Sequence, residues 1–422
     1  MTVEPTPALL SELAQLLRPL LQFTHPADTV VSQHFRTNPE LGRRDRAFLA
    51  ESAYAILRHL RSLEAIVGGD TPRRPRPLIV AWLARHSGLN LRQCEALLKP
   101  DEIVAFKAAK AVPSATLPPA IQLELPDWLY DTLYAQYGDA LATLMPAMNT
   151  PAPLDLRVNT LHMSRDKALA EMLTSGFSAT ATPYSPLGIR LSNKPPLQQY
   201  PLFQVGALEV QDEGSQLLTL LTGARRGEMV CDFCAGAGGK TLALGAQMHN
   251  SGRLYAFDVS EKRLARMKPR LARSGLSNVH PQVLAHENDS KVKRLAGKFD
   301  RVLVDAPCSG LGTLRRNPDL KWRQTTNSVA ELNTKQAAIL NSAARLVKMG
   351  GHLVYATCSL LESENQAIVS DFLAAHPGFA LQPVNEALGR LGAPLDTGVY
   401  LTLTPDQHGT DGFFAAIMQR TA

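Results

Sequence analysis

Two cysteines carry the first sign of chemistry. Cys308 sits in Asp305-Ala-Pro-Cys308-Ser-Gly310 and Cys358 in Thr357-Cys358-Ser359, each run following an apolar stretch of strand type, RVLVD (301–305) and HLVYAT (352–357). Open α/β sheets bind their ligands at the C-terminal ends of strands, so the spacing predicts two thiols facing one site. Most free cysteines are small buried hydrophobes, and that reading suits Cys94 and Cys231. It is weaker for Cys308 and Cys358, which lead into Ser- and Gly-bearing loops. A third run, Cys234-Ala-Gly-Ala-Gly-Gly-Lys-Thr241, follows the strand-like VCDF and precedes an apolar helix, LALGAQM. Its glycines let backbone approach a ligand, and the helix N-terminus offers N–H groups to a carboxylate or phosphate. The GKT ending does not make a nucleoside-triphosphate loop, because that motif needs glycine where Cys234 stands. Asp258 ends the run RLYAFD at the place where a nucleotide-binding βα unit accepts from ribose hydroxyls. It also suits a cap for a helix starting near Ser260. The first reading predicts a nucleoside-containing cofactor.

A thiolate beside a methyl donor makes sense for a carbon too unreactive to attack a methyl group by itself. Addition to C6 of cytosine makes C5 enamine-like and splits one hard step into easier ones. The thiol, with a pKa of about 8.5 when free, needs surroundings that favour thiolate. No metal is expected, since Cys231-Asp-Phe-Cys234 lacks a second ligand pair.

These residues need elements to hold them. The runs VCDFCA, RLYAFDV, FDRVLVDAP, HLVYATCS and FFAAIMQ alternate with helix-length segments, which predicts a doubly wound parallel α/β domain over 205–422. From residue 7 to 112 apolar residues recur at helical spacing, as in Leu9, Leu10, Leu13, Leu16 and Leu17 or Phe48, Ala53, Ile56, Leu57 and Leu60. That predicts an all-α domain over 1–112. Prolines at 113, 118, 119 and 126 mark a linker over 113–126, and a helical pattern followed by LDLRVNT and a helix near 165–175 suggests a small α+β module over 127–204.

At 422 residues the chain is long enough for two or three domains. With 45% hydrophobic and 19% charged residues it is neither disordered nor collagen-like. No apolar run reaches the roughly 18 residues of a membrane span, and the N-terminus lacks a signal-peptide layout. Five scattered cysteines fit a reducing cytoplasm rather than a disulfide framework. A net charge of +6 leans toward a polyanionic partner. Basic clusters lie at Arg43, Arg44 and Arg46, at Arg73, Arg74 and Arg76, from Lys262 to Arg270, and at Arg315, Arg316, Lys321 and Arg323; each also suits a solvated face.

The runs CDFCAGAGGKT (231–241), DVSEKRL (258–264), DAPCSGLGTLRRNPDLKW (305–322), YATCSLLESEN (355–365) and TDGFF (410–414) resemble the S-adenosylmethionine-dependent RNA cytosine-C5 methyltransferases. DRAFLAESAYAILRHLRSLEAIV (45–67) is similar to a NusB-type helical RNA-binding domain. PDWLYDTLYAQYG, APLDLRVNT and LEVQDEGSQL resemble the bridging region of bacterial members that act on small-subunit rRNA. The resemblance implies a Rossmann-like class I methyltransferase domain, preceded by an all-α NusB-like domain and a small α+β bridging module, with S-adenosyl-L-methionine as cofactor.

Carried over by motif, the resemblance makes Cys358 the covalent nucleophile and Cys308 the group that assists breakdown of the adduct. Asp305 falls near both methyl donor and cytosine, where a protonated carboxyl supports N3. Cys234, Ala235, Gly236, Ala237, Gly238, Gly239 and Lys240 fall at the methionine end, Asp258 at the ribose with Arg263 close by, and Asp289 or Asn288 at the adenine amine. Ala235-Gly236-Ala237 departs from the family's usual Ala-Ala-Pro and exchanges a rigid proline for a flexible glycine.

The implied substrate is an unstacked cytosine in single-stranded or looped RNA, with 16S rRNA expected as partner. Alternatives are a C5-cytosine methyltransferase of tRNA or large-subunit rRNA, and a non-catalytic RNA-binding assembly factor. Arg315, Arg316, Lys321 and Arg323 are candidates for RNA phosphates, and Trp322 for base stacking or for the core. A monomer without membrane contact is the default.

Overall fold

Leucines at three- and four-residue spacing build the first part of the chain. The computed structural model describes residues 5–68 and 73–422. It has helices Pro7–Leu20, Ala27–Thr37, Arg43–Arg58, Leu60–Val67, Pro75–Arg85, Leu91–Glu95 and Pro100–Ala111. The first begins with Pro7 in its opening turn and with Thr6 accepting from Leu9 N at 3.2 Å, which satisfies one of the helix's orphan donors. Leu10, Leu13, Leu16 and Leu17 meet Phe48, Leu49, Ile56, Leu57 and the run Leu78–Leu83 in one buried core.

The proline-rich segment 113–126 is folded onto these helices. Its prolines confine it to short turns, Ser114–Thr116 and Pro119–Gln122. Leu125 is nevertheless fully buried, and the Glu124 carboxylate accepts from Ser62 N at 3.1 Å and from the Ser62 hydroxyl at 2.5 Å. By contact density the chain up to residue 150 forms one unit together with 314–326, and residues 151–313 with 327–422 form a second.

In the second unit a small antiparallel sheet comes first, from β1 (Leu154–Val158), β2 (Ala179–Ala181), β3 (Gly188–Leu191) and β4 (Leu208–Val210) in the order β2-β3-β1-β4. Helix Arg165–Thr174 covers it through Ala168 and Met172, against Leu156, Val158 and Ile189.

The larger sheet holds β5 (Met229–Asp232), β6 (Arg253–Asp258), β7 (Val279–Val283), β8 (Phe299–Asp305), β9 (Val347–Thr357), β10 (Phe379–Gln382), β11 (Leu401–Leu403) and β12 (Phe413–Arg420). Its order is β10-β12-β9-β8-β5-β6-β7, with β11 paired to β12. Strands β5 to β9 pair in parallel, and Val302, Leu303, Val304, Leu353 and Ala356 are fully buried, as expected of strands covered on both faces.

The all-parallel expectation is corrected at one edge. FFAAIMQ is a strand, but as β12 it runs antiparallel to both β9 and β10. It fills the gap between two like-directed strands from the opposite end, which gives a mixed sheet. Among the described residues no helix is long and apolar enough to cross a membrane.

Candidate active site

Four parallel strands end on one edge of the large sheet, bringing Asp232, Asp258, Asp305 and Thr357 to the same side. β6 pairs with one side of β5 and β8 with the other. The crevice above β5 is therefore a topological switch point, where such sheets take ligands.

The loop after β5 is held from several directions. Ala235 N donates to Phe257 O at 2.8 Å and Gly236 N to Asp258 Oδ2 at 2.8 Å. Ala237 O accepts from Arg270 at 2.7 Å, and Gly239 O from Arg157 at 2.9 Å. Gly238 sits at φ +87, where a Cβ would lie 2.4 Å from Met267, so glycine is required both by its dihedral and by space. A Cβ on Gly236 would meet nothing within 4 Å, which marks open room in front of the loop.

Helix Gly239–Gln247 starts there without a side-chain cap, leaving its first N–H groups without helical partners. Beneath it Asp232 is fully buried, with Oδ2 accepting from Thr241 at 2.7 Å and Oδ1 without a partner. Burial first, and then the nearby Asp305, pushes its carboxyl up to about 7. The orphan donors of a helix start and an open cradle fit the carboxylate of the methionine end of S-adenosylmethionine. The Cys234 thiol is pushed well up by burial and by Asp232.

Asp258 is tied to the loop and to the turn before the next helix, whose cap is Ser260 rather than Asp258. Besides Gly236, Asp258 accepts from Ser260 N at 2.7 Å and from Arg263 at 2.9 Å. Asp258 is buried and Arg263 half exposed.

Lys240 reaches from the helix start to Asp305 Oδ2 at 2.7 Å. Burial lowers the pKa of its ammonium, but the charge of Asp305 and the hydrogen bond to it outweigh burial and raise it overall. Cys308 and Cys358 meet with their Sγ atoms 3.3 Å apart, both partly accessible and neither in a disulfide. The hydrogen bond from Cys358, and then burial, push the Cys308 thiol well above the ordinary range. Gly312 N donates to Cys358 O at 2.8 Å, and a Cβ on Gly312 would lie 2.1 Å from Gly412 O. The DAPCSGLGT and TDGFF runs thus touch backbone to backbone.

Asp289 and Asn288 stand in the loop that follows β7. Asp289 caps the short helix Ser290–Arg294, its two oxygens accepting from Lys291 N at 2.8 Å and Ala285 N at 2.9 Å. Asn288 bonds Glu287 and Arg345.

Lys321 is not available to RNA in this structure, and Trp322 is largely taken up by the helical core. Lys321 is fully buried, with Nζ donating to Arg58 O at 2.8 Å and Asn149 Oδ1 at 3.1 Å. Trp322 packs on the helical core and donates to Leu57 O at 2.9 Å. Arg323 is partly exposed and lies 3.5 Å from Asp319, while Arg315 and Arg316 are half-buried.

Sequence reasoning missed the residues that brace the site. Arg157 is fully buried and spans Gln211 and Gly239; Arg270 joins Ala237 to Glu209; Glu364 lies beneath both cysteine loops. Glu364 stood within YATCSLLESEN, but nothing in that run signals a burial site.

The family model of the 16S rRNA methyltransferase RsmB/F matches residues 219–419, and that of the RsmF/B-like ferredoxin-like domain matches 125–198. "Probable ribosomal RNA small subunit methyltransferase B" of Synechocystis is 31% identical over 440 residues, covering 96% of this chain and 98% of its own length. The ribosomal RNA small subunit methyltransferase B of Sodalis glossinidius is 37% identical over 293 residues, 69% of this chain and 65% of that relative. Among solved structures, PH0851 matches over 100% of both chains with a TM-score of 0.80 at 26% identity. A methyltransferase homolog from Pyrococcus horikoshii matches 72% of this chain and 100% of its own, with a TM-score of 0.61 at 28% identity. The chain belongs to the RsmB/F family of S-adenosylmethionine-dependent rRNA methyltransferases.

Proposed function

We propose that this protein methylates C5 of a specific cytosine in 16S rRNA through a covalent adduct on Cys358. The observation that carries the reading is the pair of thiols 3.3 Å apart beside the Lys240–Asp305 ion pair. A methyltransferase acting on a nitrogen or oxygen has no use for two such thiols.

In this reading Cys358 Sγ bonds to C6 of the base, and the displaced ring electrons make C5 nucleophilic. S-adenosylmethionine, when bound, supplies the electrophilic methyl group that C5 takes up. Cys308, once its own proton has passed to solvent, receives the C5 proton as thiolate; the electron pair of that C–H bond restores the C5–C6 double bond as the C6–S bond breaks, and Cys358 leaves as thiolate. Asp305, as a protonated carboxyl, donates to N3 of the base, with the Lys240 ammonium beside it balancing charge as the ring becomes electron-rich. Cys234 to Lys240 hold the methionine end, Asp258 with Arg263 the ribose, and Asp289 or Asn288 the adenine. The helical unit acts as a NusB-like RNA-binding domain over 1–112, and a small α+β module over 127–204 follows it in sequence, before the catalytic domain over 205–422. Arg315, Arg316 and Arg323 remain candidates for phosphates.

The test is methyl transfer from labelled S-adenosylmethionine to deproteinised small-subunit rRNA, large-subunit rRNA and tRNA, with product mapped by bisulfite sequencing. New C5-methylcytosine in small-subunit rRNA, absent with Cys358→Ala, is expected. Cys308→Ala is expected to accumulate a protein–RNA adduct that survives denaturation. Normal turnover by Cys358→Ala would sink the reading.

A further inference from the structure

Glu364 is fully buried at the end of the single turn Glu362–Glu364 that follows β9. Its Oε1 accepts from Ser309 N at 2.8 Å and from Gln336 at 2.9 Å. Its Oε2 accepts from the hydroxyls of Ser309, at 2.5 Å, and Ser359. Leu361 N donates to Ser359 Oγ at 3.0 Å and Leu311 N to Ser309 Oγ at 3.5 Å, and the two hydroxyls stand 3.2 Å apart; the carboxylate beside them can only accept, so it draws their protons. Four donors therefore converge on one side chain. An acceptor-only carboxylate satisfies them all, whereas an amide of the same shape sets an NH2 group against donors.

Ser309 adjoins Cys308 and Ser359 adjoins Cys358, so two loops delivered by different strands hang on one carboxylate. The backbone beneath is fixed as well. Tyr355 Oη donates to Glu364 O at 2.7 Å, and Asn365 Nδ2 to Ser359 O at 3.0 Å.

We propose that Glu364 is a positioning residue that sets the separation of the two thiols and thereby the release of the methylated base by Cys308. This rests on the covalent-adduct reading above. Glu364 is fully buried, so it acts through the cysteine loops rather than on a bound base. Proton removal from C5 is the step most exposed to its loss, since a displacement of about 1 Å can cost about 100-fold in rate.

The test uses full-length Glu364→Gln, with the double variant Ser309→Ala/Ser359→Ala beside it and Cys308→Ala as reference. Phenylarsine oxide, which condenses with two neighbouring thiols and releases one water, reads the thiol spacing without catalysis. Decay of the denaturation-resistant RNA adduct reads the release step. S-adenosylmethionine affinity and the urea midpoint report on cofactor site and fold.

Glu364→Gln is expected to bind the arsenical at least about tenfold more weakly and to resolve the adduct about 100-fold more slowly, with cofactor affinity kept within about twofold. Wild-type arsenical binding and adduct decay in folded Glu364→Gln would overturn the proposal, as would a cofactor affinity that falls in parallel with both. If Glu364→Gln does not fold, the double serine variant, which keeps the carboxylate and two of its donors, decides by the same two readouts. Absence of an adduct in Cys308→Ala removes the covalent reading alone, and the arsenical still decides the spacing.

Discussion

Lys240, largely covered, and Lys321, fully buried, both follow motif residues of the methyltransferase half, and the structure gives them opposite characters. Lys240, at the cofactor edge, meets the carboxylate of Asp305, and that pairing outweighs burial and raises its pKa. Lys321, in the segment 314–326, donates to a carbonyl and an amide oxygen and stands over the Trp322 ring, and burial first of all lowers its ammonium to about 7. A carboxylate partner turns a buried lysine into a fixed charge at a reacting centre; neutral acceptors turn it into a strut.

The two lysines differ most in activity. Lys240→Met is expected to lower kcat/KM by about 100- to 1000-fold, the scale for removing one charge aimed at a reacting centre, while the urea midpoint stays near that of the wild type. Steady-state kinetics beside denaturation curves check both. Lys321→Met is expected to change kcat by no more than a few-fold, about the size of an indirect effect, and to alter stability instead. An equal loss of kcat in a fully folded Lys321→Met would break the comparison.

RNA affinity gives the next largest contrast. Arg315→Ala with Arg316→Ala is expected to weaken RNA binding and to flatten its salt dependence by about one unit of slope for each phosphate that is no longer neutralised. Lys321→Ala is expected to leave that slope unchanged, because a fully buried ammonium releases no counterions. Filter binding at several salt concentrations decides. A slope reduced by Lys321→Ala would return that residue to the RNA surface.

That the sequence separates these two lysines so poorly reflects where the information lies. The cysteine loops and strands β5, β6, β8 and β9 were legible because apolar runs of strand length end in loop chemistry at known offsets. Strand β7 was not: its residues Val279, His280, Pro281, Gln282 and Val283 pair on one side only and carry little apolar pattern. The direction of β12 was not legible either, since a strand's composition does not encode which way it runs. The bracing set of Arg157, Glu209, Arg270 and Glu364 acts across tens of residues of sequence, as in Arg157 to Gly239 and Ser309 to Glu364. No local spacing announces such contacts. Lys321 followed the same limit, since a basic cluster reads alike on a surface and in a core.

The smallest effect is also the one specific to a strut. With its folded value near 7 and an unfolded value of about 10.4, Lys321 is charged in both states below pH 7 and neutral only in the fold between the two values. The unfolded chain then binds more protons than the folded one, so unfolding free energy rises with pH across that window. Glu124 opposes the shift and Arg58 adds to it, so the window belongs to the cluster of three rather than to burial alone. Trp82, Trp128 and Trp322 are the three tryptophans of the chain and all lie in the helical unit, so their fluorescence follows this unit's unfolding. Urea midpoints at pH 7 and pH 9 are expected to show the wild type gaining on Lys321→Met as pH rises. A difference that shrinks with pH, or stays constant, would mean that Lys321 keeps its proton in the fold and that the two lysines differ less than their partners indicate.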